Sequence, residues 1–302
     1  MLCLGIDIGG TKINVGIISV DGEKATVKGI RRISSTTISD PASEIASAVR
    51  ALARDVGVSL ESLCGCGVGV PGTVSRDGRR VLKAPNLPWM TEDFCERFEV
   101  LLGLPVRLVQ DSRAAALGEA RCGGGRGLSV VVVLTLGTGL GTGITVEGQI
   151  FDGGLGSAGE LGHVPVVRNG RPCGCGKRGC LEKYAAGGGL DLTACEILGG
   201  DSTARELFLA EQMGNEEAAR AISFAVEALG QAVTTTVNLL SPNAVLFSGG
   251  LGNHVGYVSR VTEYVKKHCY SSGALPMLGA AELGDLAPLV GAALYGAGDE
   301  IE

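Results

Sequence analysis

The chain has 302 residues, 45% of them hydrophobic, and a formal net charge of −6, with a sequence pI near 5.3. That length supports one large domain or two ordinary ones around a buried core, and the acidity excludes a broad nucleic-acid-binding surface. The apolar run that starts at Leu128 stops far short of the roughly 20 residues a membrane span needs. The opening MLCLGIDIGG has no basic stretch ahead of its apolar residues, so a cytoplasmic protein without a secretory leader is expected.

In that setting the 10 cysteines read as thiols or metal ligands and not as a disulfide framework. Glycine is the outlier, 49 of 302 residues against a usual ~7%. Its clustering inside periodic sequence predicts many tight functional turns.

The first segment, LCLGIDIGGTKINVGIISVDGE, reads as strand, glycine turn, strand and an Asp-Gly hairpin. Residues 40–58 show helical spacing through Ile45, Val49, Leu52 and Val56, and CGCGVGVPG (64–72) is a strand ending in a turn. VRLVQDSRAAALGEA (106–120) is a short strand running into an alanine-rich helix. At 130–149, VVVVLTLGTGLGTGITVEGQ repeats the opening grammar of strand, Gly-Thr-Gly turn and strand, as expected of a duplicated half-molecule. Residues 203–240 are helical, with an apolar stripe from Ile222 to Leu240 that Pro242 stops, and NAVLFSGGL (243–251) is a buried strand ending on Gly-Gly. Alternating strands and helices in two related halves predict an α/β architecture.

Turns such as DIGGTK and LGTGLG present consecutive backbone N–H groups that can cradle an anion, with threonine hydroxyls as further donors. Gly9 and Gly10 allow close approach to a phosphate, Thr11 can bond an oxygen, and Asp7 can hold magnesium through water. An ordinary hairpin explains either turn alone. Two in matching positions point to a nucleotide, with Gly249 and Gly250 as a further contact for a flat adenosine. The Gly-Lys-Ser/Thr and G-x-G-x-x-G patterns are absent, which argues against P-loop and Rossmann sites.

Asp111, where a strand gives way to a helix, can accept a proton from a hydroxyl nucleophile in phosphoryl transfer. Taken alone, this segment favours the simpler role of helix N-cap. His163 with Cys173, Cys175 and Cys180 makes a Cys3His set, a usual composition for four-coordinate structural zinc. Gly174, Gly176 and Gly179 are expected to allow the turns between the thiolates. A disulfide is the alternative reading, which the cysteine count and spacing oppose. Four protein ligands leave no open position for catalysis.

The motifs DIGGTK, GVGVPG, APNLPW, LGTGLG, GSAGELGH and CGCGKRGCLE occur in order along most of the chain. Together they resemble the ROK family (repressors, uncharacterised frames and sugar kinases), in particular its bacterial glucokinase-like members. The resemblance implies an actin-like ATPase, ribonuclease H-like fold of two duplicated lobes around a nucleotide and sugar cleft. It implies a small lobe of residues 1–110 completed by the C-terminal helix 287–300, a large lobe of 111–286 with the zinc site, and a homodimer.

The implied activity is ATP-dependent phosphorylation of a hexose at its 6-hydroxyl, with ATP, Mg2+ and structural Zn2+. Asp111 would be the general base. Glu160, His163 and Glu182 would contact sugar hydroxyls, with Gly72, Asn86 and Gln110 on the other side. Gly9, Gly10, Thr11 and Lys12, the last as a supporting charge, would face the triphosphate with Gly137, Thr138, Gly139 and Gly141.

One departure bears on the substrate. Family kinases usually read Asn-Asp-x-Asn around the catalytic aspartate, whereas this chain reads Gln110-Asp111-Ser112-Arg113. An arginine beside the carboxylate would lower its pKa and weaken it as a base, unless it meets solvent or an anion. The change at Gln110 keeps an N-acetylhexosamine or another hexose as alternatives to glucose. A weak sugar-binding regulator without a DNA-binding domain is the competing class.

Overall fold

The computed structural model describes residues 1–36, 39–84, 87–270 and 274–298. It divides into two compact units, residues 1–127 with 143–158 and 285–302, and residues 128–142 with 159–284.

The first unit opens with β1 (Leu2–Ile8), β2 (Lys12–Asp21) and β3 (Lys24–Ser34), an antiparallel meander turned by Asp21-Gly22, where Gly22 takes a positive φ. Helix α1 (Pro41–Asp55) follows, with proline in its first turn and Ile45, Val49 and Leu52 buried along one face. Next come β4 (Leu63–Val70), the short hairpin β5 (Thr73–Val74) and β6 (Val81–Lys83), then α2 (Phe94–Leu102), β7 (Val106–Gln110) and α3 (Asp111–Cys122). The five main strands form a sheet ordered β3-β2-β1-β4-β7. β4 runs parallel to both β1 and β7. Because β1 is central, both of its faces are covered, which is why it reads as a nearly continuous apolar run.

The second half repeats this plan. β8 (Val130–Leu136), β9 (Leu140–Val146) and β10 (Gln149–Ile150) lead into the helices α4 (Glu182–Ala185), α5 (Gly187–Leu198), α6 (Ala204–Gln212) and α7 (Glu216–Leu240). These are followed by β11 (Ala244–Ser248), α8 (Gly249–Gly252), α9 (Val255–His268), β12 (Met277–Ala280) and α10 (Ala287–Ala297). The second sheet is ordered β10-β9-β8-β11-β12, with β11 parallel to β8 and β12. It therefore has the same succession as the first sheet, a hairpin followed by parallel strands. The helical stretch expected over 203–240 is two helices. Asn215 breaks it and caps α7 by accepting from the N–H groups of Glu217 and Ala218.

The glycines correct one expectation. Many lie inside strands and helices and not in turns, because α10, which completes the first unit, packs backbone to backbone. A Cβ on Gly67 of β4 would sit 1.7 Å from the carbonyl oxygen of Ala292, and one on Gly291 would sit 1.7 Å from that of Ala114 in α3. Gly5 and Gly118 meet α10 carbonyls in the same way, at 2.3 and 2.5 Å. No atom fits at such distances, so these positions take glycine for space and not for conformation.

Gly291→Ala should therefore lower stability by about 2 kcal/mol or more, the overpacking cost outweighing the helix propensity gained. Gly279 in β12 has no atom within 4 Å of its Cβ position, and Gly279→Ala should stay within about 0.5 kcal/mol. Urea unfolding midpoints of the two variants check the pair; equal midpoints would refute the packing argument.

Candidate active site

In the first unit, β1 ends at Asp7 and Ile8 and the turn Gly9-Gly10-Thr11 leads to Lys12, the first residue of β2. The turn is closed by the Gly9 N–H donating to the Lys12 carbonyl at 2.8 Å. Asp7 accepts from Asn14 Nδ2 at 3.1 Å. Burial raises its carboxyl above the usual value, against the opposing effects of the Asn14 hydrogen bond and the Lys12 charge. A buried carboxylate disfavoured in this way is suited to a cation, whose charge would restore its ionised form. Gly72 is a contact glycine: its φ is +137° and a Cβ would lie 2.1 Å from the Lys83 carbonyl oxygen. Asn86 lies outside the described residues.

Asp111 is the first residue of α3, and Gln110, not Asp111, holds the N-cap position. The Asp111 Oδ1 accepts from the Ser112 N–H at 2.7 Å, a favourable place for negative charge at a helix start. Arg113 does not turn its charge onto this carboxylate alone. It is 8% exposed, its Nη1 pairs with Asp152 Oδ1 at 2.6 Å, and its Nη2 donates to the Gly156 carbonyl at 2.8 Å. The guanidinium thus meets the anion that the sequence reading required. Gln110, Arg113, Asp152 and Tyr295 line a small cavity of about 20 Å³.

In the second unit the turn after β8 holds Gly137, Thr138 and Gly139, and Gly141 lies within β9. The carbonyls of Gly137 and Thr138 accept from the N–H groups of Gly187 and Gly188, the first residues of α5, at 2.8 and 3.1 Å. A trans peptide is planar, with its N–H opposite its C=O. The N–H groups of Thr138 and Gly139 therefore point away from α5. These bonds also satisfy donors that a helix start leaves open.

Gly137, Thr138, Gly187, Gly188 and Gly250 share a cavity of about 490 Å³ with Phe208, Leu209, Leu251 and His254. Its size and apolar lining suit a nucleoside-sized ligand. Phe208 stacks on His254, ring centroids 4.2 Å apart. His254 Nδ1 accepts from the Tyr257 N–H at 3.0 Å, which places the neutral ring's proton on Nε2. Gly249, with φ +82°, packs over Leu136. Asp191 and Arg205 are the charged residues of the lining. The sequence reading did not single out Gly187, Gly188, Asp191, Arg205, Phe208 or His254; the run AAGGG was the available signal.

The Cys3His set comes together. His163, Cys173, Cys175 and Cys180 each place one ligand atom within 4.8 Å of all the others. Cys173 Sγ lies 3.6 Å from His163 Nδ1, and Cys175 Sγ lies 3.6 Å from Cys180 Sγ. A tetrahedral zinc with sulfur at about 2.3 Å would set its ligands about 3.8 Å apart, so the donors and their spacing fit. Gly176 and Gly179 take the positive φ values expected of them, +90° and +80°. Gly174 does not, and its Cβ position is open.

Glu182 begins α4 with its Oε1 accepting from the Cys173 thiol at 2.9 Å. Its Oε2 lies 2.9 Å from the Cβ position of Gly139. Glu160 Oε2 lies 3.7 Å from His163 Nε2. Burial first, and then the hydrogen bond to the Glu182 carboxylate, push the Cys173 thiol up.

The ROK family profile matches residues 3–297. The chain belongs to the ROK family. The glucokinase of Streptomyces coelicolor is 34% identical over 97% of this chain and 96% of its own length. The N-acetylgalactosamine kinase AgaK of a Shewanella species is 30% identical over 97% and 96%. Among solved structures, the ROK family glucokinase of Streptomyces griseus in complex with glucose and AMPPNP superposes with a TM-score of 0.81 at 30% identity, covering 98% of this chain and 99% of that one. The fold is thus that of the ROK sugar kinases, an actin-like ATPase fold.

Asp7 gives a pH test of the first glycine turn. A carboxyl whose folded pKa is raised binds more protons folded than unfolded, so stability falls as pH rises from about 4 through the folded value. Asp7→Asn should remove this dependence and raise the thermal midpoint at pH 7. An unchanged pH profile would contradict the burial argument.

Proposed function

We propose that this ROK protein transfers the γ-phosphoryl group of ATP to a hydroxyl of a hexose, glucokinase fashion, giving the sugar 6-phosphate and ADP. The observation that carries this reading is the juxtaposition in the second unit. The turn whose Thr138 and Gly139 amides are directed away from α5 abuts Glu182, a carboxylate held by the Cys3His loop. A phosphate-binding turn beside a hydroxyl-binding carboxylate is what phosphoryl transfer to an alcohol needs, since its catalysis is mostly positioning and charge stabilisation.

In this reading the nucleoside occupies the 490 Å³ cavity, against Gly250, with Gly249 preceding it at the start of α8. The triphosphate lies along Gly137, Thr138, Gly139 and Gly141, with Gly9, Gly10, Thr11 and Lys12 as the equivalent turn of the first unit. Asp7 would hold Mg2+, which when bound neutralises phosphate charge. Glu160, His163 and Glu182 bind sugar hydroxyls, with Gln110 and Gly72 beside Asp111. Asp111 takes the proton of the attacking hydroxyl. Arg113, neutralised by Asp152, leaves that carboxylate able to serve as base.

His163 serves two ligands through two nitrogens, Nδ1 toward the metal thiolates and Nε2 toward Glu160 and the sugar. Cys173, Cys175, Cys180 and His163 would hold structural zinc, and a homodimer completes the assembly. A second reading, an N-acetylhexosamine as substrate, is favoured by the Shewanella N-acetylgalactosamine kinase at 30% identity and by Gln110 in place of the usual asparagine.

A coupled ADP-release assay over hexoses and N-acetylhexosamines tests the activity and selects the sugar. Asp111→Asn should lower kcat about 10³-fold with little change in sugar KM. Absence of sugar-stimulated ATP turnover in the wild type, or a loss below tenfold in the variant, overturns the assignment. Metal analysis should find about one zinc per chain, lost in Cys175→Ser together with sugar affinity. Zinc-free protein that binds sugar normally would overturn the role given to the metal.

A further inference from the structure

The first N–H groups of α5 are spent on the carbonyls of Gly137 and Thr138, so the glycine turn follows the start of α5. Two side chains outside both the cavity lining and the Cys3His set hold that start.

Arg171 lies two residues before Cys173, yet its guanidinium bonds run to α4 and α5. Nη1 donates to the carbonyls of Lys183 at 2.8 Å and Gly189 at 3.0 Å, and to Thr193 Oγ1 at 3.0 Å. Nη2 reaches Thr193 Oγ1 and pairs with Glu196, and the guanidinium lies over the Tyr184 ring, 5.0 Å from its centroid. From the other side, the fully buried Tyr257 of α9 donates its hydroxyl to the Ala185 carbonyl at 3.0 Å. The α4–α5 junction is thus held by polar bonds at Lys183, Ala185 and Gly189, with Gly187 and Gly188 between them.

We propose that Arg171, assisted by Tyr257, is a positioning residue for the phosphoryl donor. By fixing the α4–α5 junction it fixes the direction of the Thr138 and Gly139 amides, and it does so independently of the metal. The inference rests on reading the turn and its cavity as the donor site. A guanidinium suits the task because its rigid fork bonds several carbonyls at once and keeps its charge at every working pH. Three consecutive glycines at the junction have no side chains of their own to lock it, and glycine has the most backbone freedom to lose. The order at Gly187 and Gly188 must be imposed from outside. Glu182 is tied instead through the Cys173 thiol and the Cys180 loop, so sugar binding depends on the metal loop and donor binding on Arg171.

The test compares Arg171→Met, Arg171→Lys and the near-isosteric Tyr257→Phe in the full-length zinc-loaded protein. Arg171→Met should raise KM for ATP about tenfold, leave sugar KM within about twofold and keep its zinc. Arg171→Lys should recover part of the loss, and Tyr257→Phe should raise KM for ATP about threefold. Amide hydrogen exchange at Gly187–Gly189 should quicken in Arg171→Met and Tyr257→Phe. Equal rises in both KM values overturn the proposal, as does zinc loss in Arg171→Met with Tyr257→Phe behaving as wild type. If the wild type binds no ATP, the donor reading fails by itself. Hydrogen exchange still decides the positioning claim, and unchanged rates at Gly187–Gly189 in both variants overturn it.

Discussion

Two N–H···O=C bonds, from Gly187 to Gly137 and from Gly188 to Thr138, are the constraint on which the ligand-facing part of the second unit depends. They can form only because the helix start carries no side chains. A Cβ on Gly187 would lie 2.7 Å from the Gly137 carbonyl oxygen, and one on Gly188 would lie 2.6 Å from that of Thr138. Gly189 is needed for a different contact, its Cβ position lying 2.5 Å from the Lys183 carbonyl carbon. The three glycines of the run AAGGG are therefore each fixed by backbone packing. Their effect is to make the Cys3His loop, α4, α5 and the glycine turn a continuous hydrogen-bonded path.

The first unit uses the same device on a larger scale. Helix α10 lies so close to β1, β4 and α3 that glycine is needed on both sides of the contact. This close layer fixes the two chain segments that matter chemically, the end of β1 at Asp7 and the start of α3 at Asp111. Dense backbone contact resists the small shifts that would misplace a carboxylate. The polar counterpart is Arg113, whose charge is met by Asp152 and the Gly156 carbonyl. An isolated buried cation would be costly, and this one is paired and hydrogen-bonded. It ties α3 to the glycine-bearing loop after β10, so a residue that looked like interference with the base is part of the frame around it.

Much of this was legible in the sequence, and the failures share a cause. The duplicated strand-turn-strand grammar was readable because β1 and β8 are central strands and so nearly uniform in hydrophobicity. The Cys3His set was readable because its donors are chemically unusual and close in sequence. Asp111 was misread locally as a cap because sequence locates a helix start only to within a residue or two. Here that margin moved the cap to Gln110. The junction glycines went unread because three glycines before an apolar run look like a loop. The carbonyls of Gly137 and Thr138, far away in the chain, explain the first two, and the Lys183 carbonyl explains the third. The partners of Arg113 and Arg171 were invisible for the same reason: which anion or carbonyl meets a long cation is decided by tertiary approach.

The division of labour around Cys173 follows from donor geometry. A closed set of three thiolates and one imidazole leaves a metal no position for substrate, so whatever the metal contributes must pass through the chain it holds. That chain runs in two directions. Through His163 it reaches Glu160, because Nδ1 faces Cys173 and the opposite nitrogen lies 3.7 Å from the Glu160 carboxylate. An imidazole bound through one nitrogen keeps the other as a fixed N–H donor, the arrangement by which metal-bound histidines orient neighbouring carboxylates. Through Cys180 it reaches Glu182, which follows two residues later at the head of α4. A single ion so placed would orient two carboxylates and one ring nitrogen at once. Three side chains on two separate turns would otherwise each have to be ordered on binding, at a cost in entropy for every ligand molecule bound. A metal bound during folding would meet that ordering cost in advance.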